Sequence, residues 1–171
     1  MISFLKKGKE AEYLLCEIFK IFGETRMASD YEDIHEHWDF SFNIHIDVKT
    51  MKKLNRNDEN YNEDIHWIEL RNVHGKQGWI HGKAQVIAFE TKRAWILVER
   101  PKLIEMLDEK ILDIDNYVTS PQLYRIYRRS NRKDAVVLVN TKDIKDIAFL
   151  ILDKNKLEEK YKRMRELENI L

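Results

Sequence analysis

The segment from His37 to Thr50 constrains what this chain can fold into more than any other. Polar and apolar residues alternate around Asp39 and again through Ile44-His45-Ile46-Asp47-Val48-Lys49, the period-two signature of half-buried strands. Residues two apart in a strand share a face, so the pattern turns His45, Asp47 and Lys49 one way and sends Ile44, Ile46 and Val48 into a core. A short turn at Ser41 to Asn43, or slightly later, lays Asp39 beside Asp47 on adjacent strands. Two carboxylates and one ammonium then sit at the ends of two short apolar runs. That charge set can hold a divalent cation beside a water and a phosphodiester.

An acid two residues before a lysine is not distinctive alone, for it recurs at Glu90-Thr91-Lys92, Asp108-Glu109-Lys110, Asp143-Ile144-Lys145 and Glu158-Glu159-Lys160. What lies eight residues earlier separates them. It is Gly82, Arg100, Ala135 and Leu150 in those cases, and an acid, Asp39, only for Asp47. Taken singly, such charges on edge strands serve in most proteins to discourage edge-to-edge pairing. Taken together, Asp39 and Asp47 offer hard oxygen ligands suited to Mg2+ or Mn2+, with Glu12 completing the shell directly or through water. Lys49 orients or helps deprotonate the attacking water and offsets charge on the phosphorane-like transition state.

At these residues the chain resembles the PD-(D/E)XK nuclease superfamily, with Trp38 standing where the family often has Pro. Near the N-terminus, Lys6-Lys7-Gly8-Lys9-Glu10-Ala11-Glu12-Tyr13-Leu14-Leu15 resembles the basic, Gly-containing opening of archaeal-type Holliday-junction resolvases and related phage nucleases. The resemblance has identifiable motifs over the first third of the chain. It implies an α/β fold with a restriction-endonuclease-like core, a central mixed β-sheet flanked by helices and a C-terminal helix. It also implies that a helix-borne Glu four residues after the Gly, here Glu12, joins the metal site, with Glu10 as the alternative. The implied activity is Mg2+-dependent endonucleolytic hydrolysis of DNA, Mn2+ substituting, with branched DNA the expected substrate. Resolvases, repair nucleases and restriction enzymes share this core, so fold analogy does not choose among them.

At 171 residues with 43% hydrophobic and 11% aromatic content, the chain can bury one proper core, and one domain over 1–171 is expected. Two prolines, five glycines and no Ser- or Pro-rich stretch leave no obvious linker. Thirty residues of each charge sign argue against indiscriminate coating of nucleic acid, which needs many uncompensated Lys and Arg; a local basic groove remains compatible. The one cysteine, Cys16, excludes a disulfide framework and a Cys-based zinc knuckle. No segment approaches transmembrane length, so a soluble cytoplasmic protein without a membrane partner is expected, in the host cytoplasm if phage-encoded.

Ala11, Leu14, Leu15, Ile18, Phe19 and Phe22 recur at helical spacing before Gly23 and predict a helix from Phe4 to Phe22. Strands are expected near Thr25 to Tyr31, His35 to Phe42, Ile44 to Lys52, Trp67 to Leu70, Gln85 to Glu90 and Ala94 to Glu99. Pro101 suits the first turn of a helix reaching Leu112. Leu123 to Arg129 and Asp134 to Val139 read as a hairpin. The tail 153–171 reads as a helix whose stripe of Leu157, Tyr161, Met164, Leu167 and Leu171 packs on the domain or joins a second copy. A homodimer suits a resolvase, which cuts two strands about a two-fold axis.

Three further features compete with or extend this reading. His35, His37 and Asp39 share one expected strand face and His45 and Asp47 another, which is also how a cupin-type barrel presents an Fe or Zn site; few glycines and long helices argue against it. The loop 72–83 holds three glycines but lacks phosphate-loop spacing: three residues separate Gly78 from Gly82-Lys83, and Ala84 stands where Ser or Thr is needed. No nucleotide cofactor is therefore expected. Lys76, Trp79, His81 and Lys83 could instead grip a backbone and stack on a base, or Trp79 could be tucked into the core. Finally, Arg125, Arg128, Arg129, Arg132 and Lys133 lie in a stretch with Tyr124 and Tyr127 and no acid before Asp134, suited either to tracking phosphates or to guarding a hairpin edge. A catalytically silent DNA-binding protein of the same fold is the third alternative.

Overall fold

In a computed structural model, which describes residues 4–20, 23–53, 60–157 and 159, the stripe of Ala11, Leu15, Cys16 and Phe19 forms the buried face of helix α1, Phe4–Phe19. The helix ends at Phe19, and the expected end at Phe22 lies outside the described residues. Strand β1, Arg26–Met27, is followed by a helix where strands were expected: α2 spans Asp30–Glu36. Its cause is a capping box. The Ser29 hydroxyl accepts the Glu32 N–H, and the Glu32 carboxylate accepts the Ser29 N–H at 2.9 Å. Asp30, Glu32 and Asp33 place negative charge on the first turn, where the helix dipole favours it. His37 ends the helix with φ 56. His35 is thus helical and His37 a cap, so the two-histidine strand face of the cupin reading does not form.

Strands β2 (Phe40–Ser41) and β3 (His45–Lys49) follow, joined by the tight turn that the alternation predicts. The remaining elements are β4 (Ile65–Arg71), β5 (Val86–Glu90), β6 (Ala94–Glu99), α3 (Arg100–Lys110), β7 (Ile126–Tyr127), β8 (Ala135–Asn140), α4 (Thr141–Asp146) and β9 (Leu150–Asp153). A three-residue 3-10 turn, Trp79–His81, precedes β5. Pro101 opens α3 and β7 pairs with β8, both as expected. The turn at 79–81, α4 and β9 carry no strong periodicity and are missed by the pattern.

One sheet has six strands in the order β1-β2-β3-β5-β6-β9, the other three in the order β4-β8-β7. The larger sheet is mixed, since β3 and β5 run parallel while its other pairs are antiparallel. Alternation along its strands builds two apolar layers. Ile46, Val48, Val86, Ala88, Trp95 and Leu97 face α1. Ile87, Phe89, Ile96 and Val98 face the small sheet, through Ile68, Val137 and Val139, and α3, through Leu103, Met106 and Leu107. Each Val, Leu, Ile, Phe or Met among them contributes about 1.5–3 kcal/mol by leaving water. The architecture is α/β, a mixed sheet flanked by helices.

Residues 154–157 are helical and Leu157 is buried; Tyr161, Met164, Leu167 and Leu171 lie outside the described residues. Among the described residues no helix is long and apolar enough to cross a membrane.

Candidate active site

The β2–β3 pairing sets Phe40 opposite Ile46 and Ser41 opposite His45. Asp39 extends the register, its N–H donating to the Ile46 carbonyl at 2.7 Å. Asn43, with φ 59, supplies the left-handed residue of the turn. Asp39 and Asp47 therefore lie side by side. They do not lie on a wet face, however: β3 is interior to its sheet, and Asp39 and Asp47 are only 6% and 2% exposed. The half-buried strand expected from alternation is buried on both faces because the small sheet covers the side carrying the charges.

Asp39 accepts the Val48 N–H, and Asp47 pairs with the Lys49 ammonium. The second Asp47 oxygen, Oδ2, has no hydrogen-bond partner among the described residues. Burial raises Asp39 to about 7, the neighbouring Asp47 charge adding and Lys49 opposing. Burial raises Asp47 as well, against the pull of Lys49. Burial by itself would lower Lys49; the charges of Asp47 and Asp39 hold its ammonium above the ordinary value. Two carboxyls in a poorly solvated site share one ammonium, leaving a negative charge that calls for a proton or a cation.

Lys49 reaches a cleft of about 450 Å³, and its Nζ sits 4.5 Å from the centre of the Trp79 ring. Glu12 lines the same cleft from α1, whereas Glu10 is exposed. Burial raises the Glu12 carboxyl, and the Asp39 charge adds to the shift. Lys9 ties α1 to α2, 3.0 Å from Glu12 and 2.7 Å from Asp33.

Several cleft residues escape a reading of the sequence. Glu69 of β4 lines the wall; burial raises its carboxyl against the pull of Lys49. His66 is buried against Phe89, ring centres 4.8 Å apart, and burial lowers it to about 4, so its ring is neutral. Asp134, just before β8, holds Arg129. All three arrive with the small sheet, and no local motif announces them.

The expected nucleic-acid contacts divide. Trp79 offers no base a stacking face: it is 8% exposed and packs edge-on to Phe89. Gly78 makes this possible, since its N–H donates to the Leu70 carbonyl and a Cβ there would lie 2.1 Å from the Glu69 carbonyl oxygen. Lys83 pairs with Glu36 at 2.8 Å and Arg125 with Asp113 at 3.4 Å, neither lining the cleft. Arg129 does line it. Lys76, Arg132 and Lys133 are exposed. Gly75, at φ +80, folds the 72–77 turn against the Lys133 side chain, so the two basic segments meet.

Among the described residues no three His, Cys, Asp or Glu side chains converge into a ready ligand set. The donor chemistry nonetheless fits a hard divalent cation: two adjacent buried carboxyls, with Glu12 ion-paired to Lys9 and feeling the Asp39 charge. Comparison with protein-family models, curated proteins and solved structures finds no match.

Proposed function

We propose that the chain is a metal-dependent phosphodiester hydrolase, a DNA endonuclease of the restriction-endonuclease-like type, with branched DNA as substrate. The observation that carries this reading is the buried Asp39–Asp47 pair, with Lys49 on the strand of Asp47 and the Asp47 Oδ2 lacking a hydrogen-bond partner among the described residues. Asp39 and Asp47 would hold the cation, with Glu12, whose carboxyl feels the Asp39 charge, beside them. What Mg2+ supplies there is polarisation of the phosphate and a more acidic water.

The protein's own groups do the rest. Asp47 fixes the Lys49 ammonium against the Trp79 ring, so Nζ is oriented before substrate arrives. From the cleft wall it donates a hydrogen bond to the attacking water or to a phosphate oxygen, offsetting charge as the phosphorane forms. Trp79 closes the floor against bulk solvent. A homodimer would give the two centres that symmetric cutting of a junction requires.

The test is cleavage of supercoiled plasmid, linear duplex, single strand and four-way junction with Mg2+, Mn2+ or EDTA, comparing wild type with Asp47→Asn. Metal-dependent cuts absent from the variant support the reading, and preference for the junction supports the substrate. A folded wild type that cuts none of these with either metal sinks it.

A further inference from the structure

Arg129 lines two cavities: the cleft that Glu12 and Lys49 line, to which Asp39 and Asp47 do not contribute, and a neighbouring pocket of about 740 Å³. The second pocket is formed by 117–119 and 127–132, and among the described residues no acidic side chain lines it. Resting on the nuclease reading, we infer that this pocket is a second backbone site, taking a phosphodiester of the same nucleic-acid strand away from the bond being cut, with Arg129 common to both.

Two arginines are held rigidly there by different means. The Arg128 guanidinium lies 3.8 Å over the Tyr117 ring, and its Nε has no hydrogen-bond partner among the described residues. Stacking fixes the plane of the fork and leaves its edge for a phosphate. Arg129 Nε donates to Asp134 Oδ2 at 2.6 Å, and Nη2 pairs with the same carboxylate. Asp134 is 1% exposed and its Oδ1 is without a hydrogen-bond partner among the described residues.

A guard against edge pairing needs only mobile, solvated charge, as on Arg132 and Lys133. It does not need a carboxylate buried at a cost to folding beneath one arginine and an aromatic ring beneath the next. Pre-organised forks match the planar, bidentate geometry of phosphate recognition. Asp134 is then a positioning residue for Arg129.

The test measures binding of labelled single-stranded DNA and RNA of roughly 4 to 16 nucleotides, by anisotropy in EDTA over a salt series, for wild type, Arg128→Ala, Arg128→Lys and Asp134→Asn. Thermal melts check each fold. The expected result is a length above which wild type binds more tightly. There Arg128→Ala loses roughly tenfold in affinity and about 0.7 of the logarithmic salt slope. Arg128→Lys, which keeps charge but not the planar fork, recovers the slope and not the affinity. Below that length the Arg128 variants match wild type, and Asp134→Asn, which releases Arg129 but keeps its charge, weakens binding of the long strands without lowering the salt slope. The polymer showing the length effect is the ligand. Equal affinities and salt slopes for Arg128→Ala and wild type at every length, on both polymers, overturn the inference even if Mg2+-dependent cleavage is seen. The length effect without any cleavage keeps the pocket and removes the nuclease reading.

Discussion

Replacing Asp39 with Asn should stabilise the metal-free protein at alkaline pH while abolishing cleavage. The amide keeps an oxygen to accept the Val48 N–H and removes the buried charge. Burial, with the Asp47 charge, lifts the Asp39 carboxyl from 3.8 to about 7. At 1.36 kcal/mol per unit, ionising it in the fold costs about 4 kcal/mol. Below about pH 4 native and unfolded chains both hold this proton and nothing is lost. Between about 4 and 7 only the native chain holds it, so stability falls as pH rises, and above about 7 the full penalty applies. Urea unfolding in EDTA should put Asp39→Asn up to about 4 kcal/mol above wild type at pH 8, roughly 10 °C in Tm, with the gap closing near pH 4. Mg2+ at a hundred times its Kd should restore about 2.7 kcal/mol to wild type and far less to the variant. A variant less stable than wild type at pH 8, or a gap independent of pH, would refute the reasoning.

Other substitutions separate chemistry from folding. Lys49→Met should lower cleavage by about 10²–10⁴-fold and, by leaving Asp47 unpaired, lower stability in EDTA by about 3 kcal/mol; a stabilising response to Mg2+ in melts should survive, since both aspartates remain. His66→Leu should flatten the acid side of the stability profile. The His66 ring, lowered to about 4, stays neutral in the fold while the unfolded chain protonates, so stability is lost as pH falls from about 6.5 to 4; urea titrations at pH 4.5 and 7 should show about 3 kcal/mol of this removed. Gly78→Ala puts a methyl 2.1 Å from the Glu69 carbonyl oxygen and should cost roughly 2–3 kcal/mol. Cleavage by the refolded protein should fall with it as Trp79 shifts beneath Lys49.

The carboxylate pair is legible in the sequence because everything that positions it is local. Eight residues, one tight turn and a period-two pattern bring Asp39 to Asp47, and a helical stripe places Glu12 on the neighbouring element. The pattern fails at 30–36, where strands were expected at Thr25 to Tyr31 and from His35, although the alternation itself begins only at His37. The informative signal there is chemical: Ser29 followed three residues later by Glu32 is a capping box. Glu69, His66 and Asp134 carry no comparable mark. They reach the cleft only because the small sheet closes over the larger one, and a long-range packing of two sheets leaves no trace in local spacing.

That closure also explains the site's electrostatics. On an open sheet Asp39, Asp47 and Lys49 would be solvated charges with ordinary properties. Roofed by β4 and the turn carrying Trp79, the same residues become poorly solvated, and both carboxyls rise. A hydrophobic trio of similar volume would pack there with less penalty. Among the described residues Asp47 Oδ2 and Asp134 Oδ1 lack hydrogen-bond partners, where consistent local rules would have put satisfied or apolar atoms. Folding alone gives no reason to concentrate these penalties around one cleft. On the proposed reading, a cation at the aspartates would supply the positive charge that Lys49 alone does not, and Asp134 would hold Arg129 in place for a phosphate.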